Sequence, residues 1–375
     1  MKLLIKILRK PITSTLIAIL FGFIVAAIVL AVTGYNPWQS FGALFNGIFG
    51  RPKYISNVII KATPIILTGL SVAFAFKTGM FNIGAEGQYI VGTVAAVCVG
   101  VKCNFAAPIQ IPLVVLSGVL AGAVFGGIVG YLKAKFGIHE VITSIMLNWI
   151  ALYLSNFIVN TQAYHEPNST SSYAVNPSGF TMLLPDWKIS KAGVAALKPN
   201  KWLYEALVKT DVNFGILVAV LMAVLISILL SRSTKGYELR SVGFNRDAAE
   251  FAGINVNRNI TQAMIIAGAL AGLAGALAIT GTAPHKISTM AAFENNGFNG
   301  LSVALIAGSS PVGCIFAGLL FGGLLYGGQS VQQEVGAPTE IINIMIGTIV
   351  FFVALTKVVP LFADRLEKRG ANHAK

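Results

Sequence analysis

The feature that most limits how this chain can fold is a series of apolar segments, most of them close to the roughly 20 residues that an α-helix needs to cross a membrane. Hydrophobic residues make up 55% of the sequence and charged residues 11%, whereas soluble domains carry about 25% charged residues. The pattern therefore predicts an all-α integral membrane fold, with about ten transmembrane helices in a single domain over residues 1–375. The segments cover residues 11–33, 57–76, 82–101, 110–132, 141–160, 212–231, 259–280, 298–309, 312–333 and 339–358.

Lysine and arginine residues indicate which way these helices cross the membrane. Residues 1–10 carry four of them ahead of the first apolar segment. That segment exceeds the roughly 7–15 apolar residues of a cleavable signal peptide, so we interpret it as an uncleaved first helix. Placing both termini in the cytoplasm puts 17 of the 27 lysines and arginines on that side, as the positive-inside rule favours. The sequence thus predicts a multi-pass protein of the cell membrane with both termini cytoplasmic.

Two polar stretches lie between the apolar segments. Residues 161–211 are rich in Asn, Ser, Pro and Trp and are predicted to form an extracellular loop, long enough for a small helical cap or a docking surface. Residues 231–258 are basic and are predicted to be cytoplasmic. Helix-forming residues between Gly236 and Gly253 predict one or two short helices at the membrane surface, because glycine punctuates helices.

One carboxylate interrupts the apolar sequence. Residues 81–88 read Phe-Asn-Ile-Gly-Ala-Glu-Gly-Gln, and a charge near the bilayer centre costs about 3 kcal/mol, which makes Glu86 a functional candidate. If a helix begins near Asn82, then Asn82, Glu86, Tyr89 and Thr93 share one face, and such a polar stripe must avoid lipid. Glu86 then lies about 6 Å into its span, near the cytoplasmic end.

The sequence leaves the role of these polar residues open. Glu86 is interpreted either as a substrate contact or as the structural partner of a helix terminus or of Lys77. Ser144, Asn148 and Ser155 share a face of the fifth span, and Asn295, Asn299 and Ser302 lie at the mouth of the eighth. Hydrogen bonding between helices, worth about 0.6 kcal/mol each, is the alternative to a path for a polar, uncharged solute. The residues assigned to that path are Asn82, Glu86, Tyr89, Thr93, Asn148, Asn299 and Ser302.

A short internal repeat is visible. Phe-Asn-Ile-Gly (81–84) opens the third span, and Phe-Asn-Gly (298–300) opens the eighth. Because five spans separate the two copies, they cross the membrane in opposite directions, which is the pattern of inverted repeats whose broken helices meet at a central path. The repeat predicts that the helices form two inverted halves.

Other chemistries find little support in the sequence. Cys98, Cys103 and Cys314 form no metal-ligand cluster and are interpreted as small packing residues. The net charge of +13 is better explained by membrane orientation than by nucleic-acid binding. No catalytic motif or phosphate-binding loop is present, and no second mid-span carboxylate or histidine offers a proton relay. His139 and Glu140 are expected at the membrane interface, and His285 with Lys286 in an exposed outer turn.

Four blocks of sequence occur in a distinctive order. They are Lys-Thr-Gly-Met-Phe-Asn-Ile-Gly-Ala-Glu-Gly-Gln (77–88), Glu-Val-Ile (140–142) through Asn148, Gly-Tyr-Glu-Leu-Arg-Ser-Val-Gly (236–243) followed by Asn245, Ala248 and Ala249, and residues 297–305. Together they resemble the permeases of ATP-binding cassette importers for simple sugars, branched-chain amino acids and nucleosides. The first block is most similar to the nucleoside branch. Residues 247–253 also resemble the Glu-Ala-Ala-x-x-x-Gly signature of importer permeases, with Asp247 replacing Glu.

The resemblance implies a transport subunit and not an enzyme. Such a permease pairs with a second, usually homologous, permease chain, two ATP-binding subunits and a substrate-binding lipoprotein, and it is embedded in membrane lipid. ATP and Mg²⁺ belong to the ATP-binding subunits, so this chain itself is expected to hold no cofactor or metal. By matching position, the resemblance assigns ATPase coupling to Gly236, Tyr237, Glu238, Arg240, Gly243, Asn245, Ala248, Ala249 and Gly253.

The implied function is nucleoside import by alternating access. Import of a simple sugar such as ribose or galactose, or of a branched-chain amino acid, is the alternative within the family. From another class, an ion-coupled secondary transporter is disfavoured by the missing mid-span carboxylates and by the basic 231–258 loop.

Overall fold

The computed structural model describes residues 11–355, with only the backbone for residues 11, 12, 14 and 15. The basic residues at 2–10 and from 357 onward, the last residues of the tenth predicted span and the predicted location of both termini fall outside this range. Within it no β-strand is present. The helices are α1 (Pro11–Val32), α2 (Pro37–Phe49), α3 (Pro52–Lys77), α4 (Ala85–Lys102), α5 (Ala107–Phe136), α6 (Glu140–Val159), α7 (Pro185–Ile189), α8 (Lys191–Leu197), α9 (Lys201–Leu203, continued by a π-helical turn, Tyr204–Val208), α10 (Gly215–Arg232), α11 (Thr234–Phe244), α12 (Arg246–Phe251), α13 (Val256–Gly281), α14 (Asn296–Ile306), α15 (Pro311–Val335) and α16 (Thr339–Ala354).

The all-α membrane fold is confirmed. Six of the described helices are long and apolar enough to cross a membrane, namely α3, α5, α6, α10, α13 and α15. Shorter apolar helices cover Leu16–Val32 and Thr339–Ala354. The total of ten crossings and the two inverted halves remain predictions.

Helix α2 has no counterpart among the predicted segments. It begins with an Asn36 cap, whose side-chain oxygen accepts a hydrogen bond from the Trp38 backbone N–H at 3.0 Å, and Pro37 occupies its first turn. A search for runs of about 20 apolar residues misses a helix of 13 residues, although an Asn-Pro pair is a helix-start signal.

The chain divides into two compact units, residues 1–51 with 324–375, and residues 52–323. In the first unit α1 packs on α16, with Gly22 against the backbone of Ile349. Phe23 of α1 lies 5.2 Å, centroid to centroid, from Phe41 of α2.

The second unit is built around α5 and α13, which pack backbone against backbone. Gly122 of α5 contacts Gly268 and Gly272 of α13, so that a Cβ at any of these positions would meet the facing main chain. Small residues permit this approach where no hydrophobic effect drives helices together in lipid. Other helices of the unit, among them α3 and α4, pack against this pair.

The second unit has two distinguishable ends. At one, here called the two-helix end, α11 and α12 contact the end of α3, with Gly243 against Gly79. At the other, the loop end, residues 160–214 and 282–295 cover the helix ends, as shown by the Asn176 side chain, which donates to Cys103 O at 2.9 Å after α4. The predicted orientation makes the two-helix end cytoplasmic.

Two of the helices begin inside the bundle. Helix α4 starts at Ala85 and not at Asn82, because residues 78–84 fold back from the two-helix end. The Asn82 amide donates to Ser71 Oγ at 2.9 Å, six residues or about 9 Å before the end of α3. The predicted polar stripe therefore loses Asn82, and Glu86 lies deep in the bundle and not near its cytoplasmic end.

Helix α14 likewise begins at depth. The Thr68 hydroxyl of α3 donates to Asn296 O at 2.8 Å, so residues 282–295 descend from the loop end to reach the start of α14. Gly318 and Gly322 of α15 pack on Ile66 and Ala62, which places the start of α15, and with it the end of α14, toward the two-helix end. Helices α4 and α14 thus begin near each other and run to opposite ends.

The internal repeat occupies different places in the two copies. Asn82 precedes α4, whereas Asn299 lies inside α14. The repeat therefore marks no equivalent structural positions, and the prediction of inverted halves gains nothing from it.

Candidate functional site

Glu86 joins the starting points of α4 and α14. Its carboxylate accepts hydrogen bonds from the backbone N–H of Asn295 at 2.9 Å, of Gly297 at 2.5 Å and of Phe298 at 3.4 Å. Asn295 makes no side-chain cap bond of its own, so Glu86 takes the place of the missing cap. A carboxylate is favourable here because it lies at the positive dipole ends of both helices.

Gly297 is required for this junction. A Cβ at that position would overlap the backbone of Glu86 and Ala85. The main chains of the two helix starts can therefore approach closely enough for the carboxylate to reach three backbone amides within residues 295–298.

Amide side chains enclose the same junction. Asn82 and Gln88 exchange hydrogen bonds of 2.8 and 3.1 Å. Asn148 of α6 accepts from the Gly87 N–H at 2.8 Å and donates to Ile83 O at 3.1 Å. We call Glu86, Asn82, Gln88 and Asn148 the Glu86 cluster, and each of its side chains is buried and fully paired within the chain.

A polar cavity of about 260 Å³ lies between this cluster and the loop end. Its volume is close to the lower limit of the roughly 300–1,000 Å³ typical of small-molecule sites. It is lined by Tyr89, Ile90, Thr93, Ser155, Ala278, Ile279, Thr282, Ala283, Pro284, His285, Lys286, Ile287, Ser288, Met290 and Glu294.

The cavity presents polar atoms that the protein does not satisfy. Ser155 Oγ is fully buried and makes no hydrogen bond to any residue in the described part of the chain. Glu294 is exposed to the cavity, where it lies beside the Tyr89 hydroxyl and accepts from the Asn296 amide at 3.1 Å. A buried hydroxyl without a partner is unusual and indicates a water or a ligand.

The predicted extracellular stretch forms the rim of this cavity. Val175 N donates to His285 O at 3.0 Å, and Ser172 N to Ile287 O at 2.8 Å. An ion pair joins Lys286 and Glu166 at 2.6 Å. Residues 160–214 therefore fix the conformation of residues 282–295.

The prediction that His285 lies in an exposed turn is wrong. Only 6% of the residue is exposed; its ring stacks on Phe180 with centroids 3.7 Å apart, and Nδ1 lies 2.9 Å from Ile279 O. Burial lowers the pKa of His285 below its usual value of 6.5.

The sequence-assigned path residues separate into three groups. Asn82, Glu86 and Asn148 belong to the Glu86 cluster and have almost no exposed surface. Tyr89 and Thr93 line the cavity. Asn299 and Ser302 lie half-buried on α14, beyond the cluster as seen from the cavity.

Several cavity residues were missed by sequence reasoning. Glu294 was overlooked although a carboxylate before a Gly-rich apolar helix carries the same signal as Glu86. His285 and Lys286 carry no sequence signal, because their position depends on contacts with residues 160–214. Within residues 11–355 no group of three His, Cys, Asp or Glu is placed to hold a metal ion.

At the two-helix end, α11 and α12 form the predicted pair of short helices. Asn245 ends the first and caps the second, since its side chain accepts from Ala248 N–H at 3.0 Å. Gly253 ends α12 with a φ of +81°. Glu238 bonds to Lys235 at 3.0 Å and to Asn259 at 3.3 Å, and the Lys235 bond holds the pKa of Glu238 below its usual value.

The nine residues assigned to coupling do not all face outward. Gly236 and Ala249 are buried in this chain, so substitutions at either disturb its own core. Gly243 packs against Gly79. The more exposed members are Tyr237, Arg240, Asn245, Ala248 and Gly253.

Two exposed phenylalanines lie on the same pair of helices, α11 and α12. Phe244 is 94% exposed and Phe251 97% exposed, and each is the last residue of its short helix. Beside them lies a cavity of about 590 Å³, lined in part by Tyr237, Arg240 and Ala248. Two exposed aromatic side chains next to a concave surface make this end a candidate protein interface.

Comparison with known proteins assigns this chain to a family. Residues 54–354 match the family described as branched-chain amino acid transport system / permease component. The guanosine ABC transporter permease protein NupP of Bacillus subtilis is 40% identical over 95% of this chain and 97% of its own length. The nucleoside ABC transporter permease protein NupB of Lactococcus lactis is 34% identical over 97% and 96%.

A third relative has another substrate in its name. The glucose ABC transporter permease protein TsgB13 of Haloferax volcanii is 29% identical over 91% of this chain and 86% of its own length. A matched family over residues 54–354 and relatives aligned over nearly the whole chain agree with the multi-pass helical fold and with a transport role that is not enzymatic. This chain therefore belongs to the family of branched-chain amino acid transport system permease components, the membrane subunits of ATP-binding cassette transporters.

Proposed function

We propose that this chain conducts nucleosides into the cell as a permease subunit of an ATP-driven importer. The observation that carries the proposal is the polar cavity next to the Glu86 cluster. The Ser155 hydroxyl and the Glu294 carboxylate of this cavity would bind a ligand. The names of the two relatives above 30% identity support nucleosides as the substrate class.

The cavity fits the chemistry of a nucleoside. A nucleoside is uncharged, with ribose hydroxyls that donate hydrogen bonds and a base that offers both donors and acceptors. Glu294 would accept from the ribose hydroxyls, and Tyr89, Thr93 and Ser155 would supply hydroxyl groups around it.

The Glu86 cluster would close the path below the cavity in this conformation. Its side chains are buried and paired, so solute passes only when the starting points of α4 and α14 separate. Beyond the cluster, Asn299 and Ser302 on α14 would line the route to the two-helix end. Alternating access then means opening this junction after the loop end has closed.

The two-helix end would couple this motion to ATP. In our proposal Phe244 and Phe251 insert into an ATP-binding subunit, with Tyr237, Arg240 and Ala248 around them. ATP and Mg²⁺ are held by that partner, a second permease chain completes the membrane part, and a lipoprotein delivers substrate at the loop end.

Reconstitution tests the transport proposal. The chain is co-purified with its ATP-binding subunits, second permease and lipoprotein, placed in proteoliposomes, and uptake of labelled guanosine and uridine is measured. Uptake is expected to need ATP, to survive a protonophore and to be displaced by unlabelled nucleosides. Displacement by glucose, ribose or leucine in place of nucleosides would reject the substrate, and uptake that survives ATP depletion would reject the importer.

Coupling is tested separately. The double variant Phe244→Ala/Phe251→Ala is expected to lose co-purification with the ATP-binding subunits, because exposed aromatic anchors often contribute about 2 kcal/mol or more to an interface. The matched control is Phe105→Ala, an exposed phenylalanine at the loop end, which should assemble normally. Normal assembly and ATP-driven uptake by the double variant would remove this surface from the mechanism.

A further inference from the structure

The outermost part of the loop end carries exposed apolar side chains on very short helices. Trp187 and Ile189 of α7 and Trp202 and Leu203 of α9 are all exposed. Helix α7 is held in place by the buried Lys188 ammonium, which donates to Thr210 O at 2.8 Å, and α9 continues into a turn whose Ala206 is buried. The exposure is therefore a fixed property of the fold.

An apolar groove of about 200 Å³ lies under α9. Trp202 and Leu203 form one side of it, Ile59 and Ile60 of α3 the other, and Ile216 of α10 closes it. Ile216 is the second residue of α10, so α9 lies level with the point where that membrane helix begins.

The exposed surface continues from α9 onto α10. Leu217, Leu221, Leu225 and Ile228 follow at intervals of three or four residues along one face of α10 and are exposed. A face of this kind on a membrane-crossing helix is covered by lipid hydrocarbon. Ile216, which lines the groove with Trp202 and Leu203, directly precedes Leu217 at the start of this face. We therefore place α9 at the end of the face, where hydrocarbon meets the headgroups.

The charge pattern fits that depth. Lys191, Lys198, Lys201 and Lys209 are exposed in the same segment. Lys201 directly precedes Trp202, and the Lys209 ammonium lies 5.6 Å from the Tyr204 ring centroid. Tryptophan and lysine together are typical of the membrane interface, where the ring meets the headgroup level and the ammonium meets phosphate.

We propose that α7–α9 form a lipid-binding platform, in which Trp202 and Leu203 seat the acyl chain of an anionic phospholipid against α3 and α10 while the surrounding lysines bind its headgroup. The leaflet follows from the predicted orientation, which makes it the outer one. The proposal is independent of the transported substrate. A platform of this kind would hold the rim of the cavity at a fixed height above the membrane.

Fluorescence quenching tests the platform. The full complex, with Trp38, Trp149 and Trp187 of this chain replaced by Phe, is placed in nanodiscs, and quenching of Trp202 is measured as the difference from the same complex carrying Trp202→Phe. Brominated phosphatidylglycerol is expected to quench that signal strongly and aqueous iodide only weakly. The matched control combines Trp202→Phe with Tyr173→Trp, which puts the probe at an exposed position on the cavity rim and should reverse the pattern.

The lysines are tested in the same discs. Replacing Lys191, Lys198, Lys201 and Lys209 by Gln should remove the preference for brominated phosphatidylglycerol over brominated phosphatidylcholine, which we expect to be about twofold or more in the unmodified chain. Quenching of Trp202 by iodide but not by either lipid would overturn the platform. Protection of Trp202 from both quenchers would also overturn it, because it identifies a protein partner as the occupant.

Discussion

The Glu86 cluster and the cavity beside it are both polar regions enclosed by apolar helices, yet they differ in how their polar atoms are satisfied. In the cluster every side-chain donor and acceptor has a partner within the chain. In the cavity Ser155 has none and Glu294 is open to its interior. The comparison teaches that pairing, more than polarity or depth, separates a structural site from a ligand site in a membrane protein.

The largest effect is expected from Glu86→Ala. The substitution leaves three backbone N–H groups of α14 without an acceptor, in surroundings where water does not replace it. At about 1–3 kcal/mol for each buried unsatisfied group, the free energy of unfolding should fall by roughly 3–9 kcal/mol. Thermal unfolding of the purified protein in detergent measures the loss.

Glu294→Ala is the matched control for this experiment, since Glu294 lies immediately before the same helix start. Its removal frees no backbone N–H, only the side-chain donors of Asn296 and Tyr89, so the unfolding temperature should fall much less than in Glu86→Ala. If Glu86→Ala and Glu294→Ala lowered the unfolding temperature equally, the hydrogen bonds of the cluster and of the cavity would not differ in how much they stabilise the fold.

The next effect concerns substrate affinity. Glu294→Gln keeps the shape of the side chain but removes its charge, and hydrogen bonds to a charged group contribute about 1.5–3 kcal/mol. The KM for nucleoside uptake should rise roughly 10-fold or more. An unchanged KM, measured in proteoliposomes at saturating ATP, would place the ribose elsewhere.

A smaller effect is expected from Ser155→Ala. Loss of one neutral hydrogen bond should raise the KM about 2–10-fold, while stability stays constant because the hydroxyl has no partner among residues 11–355. Ser71→Ala provides the contrast, since the Ser71 hydroxyl donates to Ala267 O at 2.6 Å and accepts from Asn82. Ser71→Ala should therefore lose stability. A stable Ser71→Ala variant together with a destabilised Ser155→Ala variant would contradict the pairing argument.

The smallest effect is a pH dependence at the cavity rim. The His285 pKa is lowered in the folded protein by burial, so the unfolded chain binds a proton near pH 6.5 that the folded chain does not yet bind. The contribution of His285 to the free energy of unfolding is therefore fully present above pH 6.5 and decreases as the pH falls toward the folded pKa. Unfolding temperatures between pH 8 and pH 5 should show this decrease, and His285→Phe should reduce it; an identical pH profile in the variant would exclude His285 as its source.

Much of the fold was accessible from sequence because apolar length and charge placement report directly on membrane helices. One or two short helices between Gly236 and Gly253 were also predicted; the structure has two, the first of which begins before Gly236, at Thr234. One of the open interpretations of Glu86, the partner of a helix terminus, matches the observed hydrogen bonds to residues 295–298.

The depth of Glu86 and the residues that line the cavity could not be predicted from the sequence. Residues 78–84 turn back into the bundle because Asn82 bonds to Ser71, a contact that no local pattern reveals. The cavity combines α4, α6 and residues 282–295, which lie far apart in sequence. Phe244 and Phe251 were missed because a search for apolar faces ignores single aromatic residues in short charged helices.

The eleven-residue length of α14 also determines the order in which the chain enters the membrane. A helix of about 16 Å covers only half of the hydrocarbon, and the irregular residues before it expose unpaired backbone groups that lipid does not accept. This segment therefore cannot be inserted by its own hydrophobicity. Its acceptor is a carboxylate synthesised 209 residues earlier, so we expect α14 to reach its final place only after α4 has taken its own.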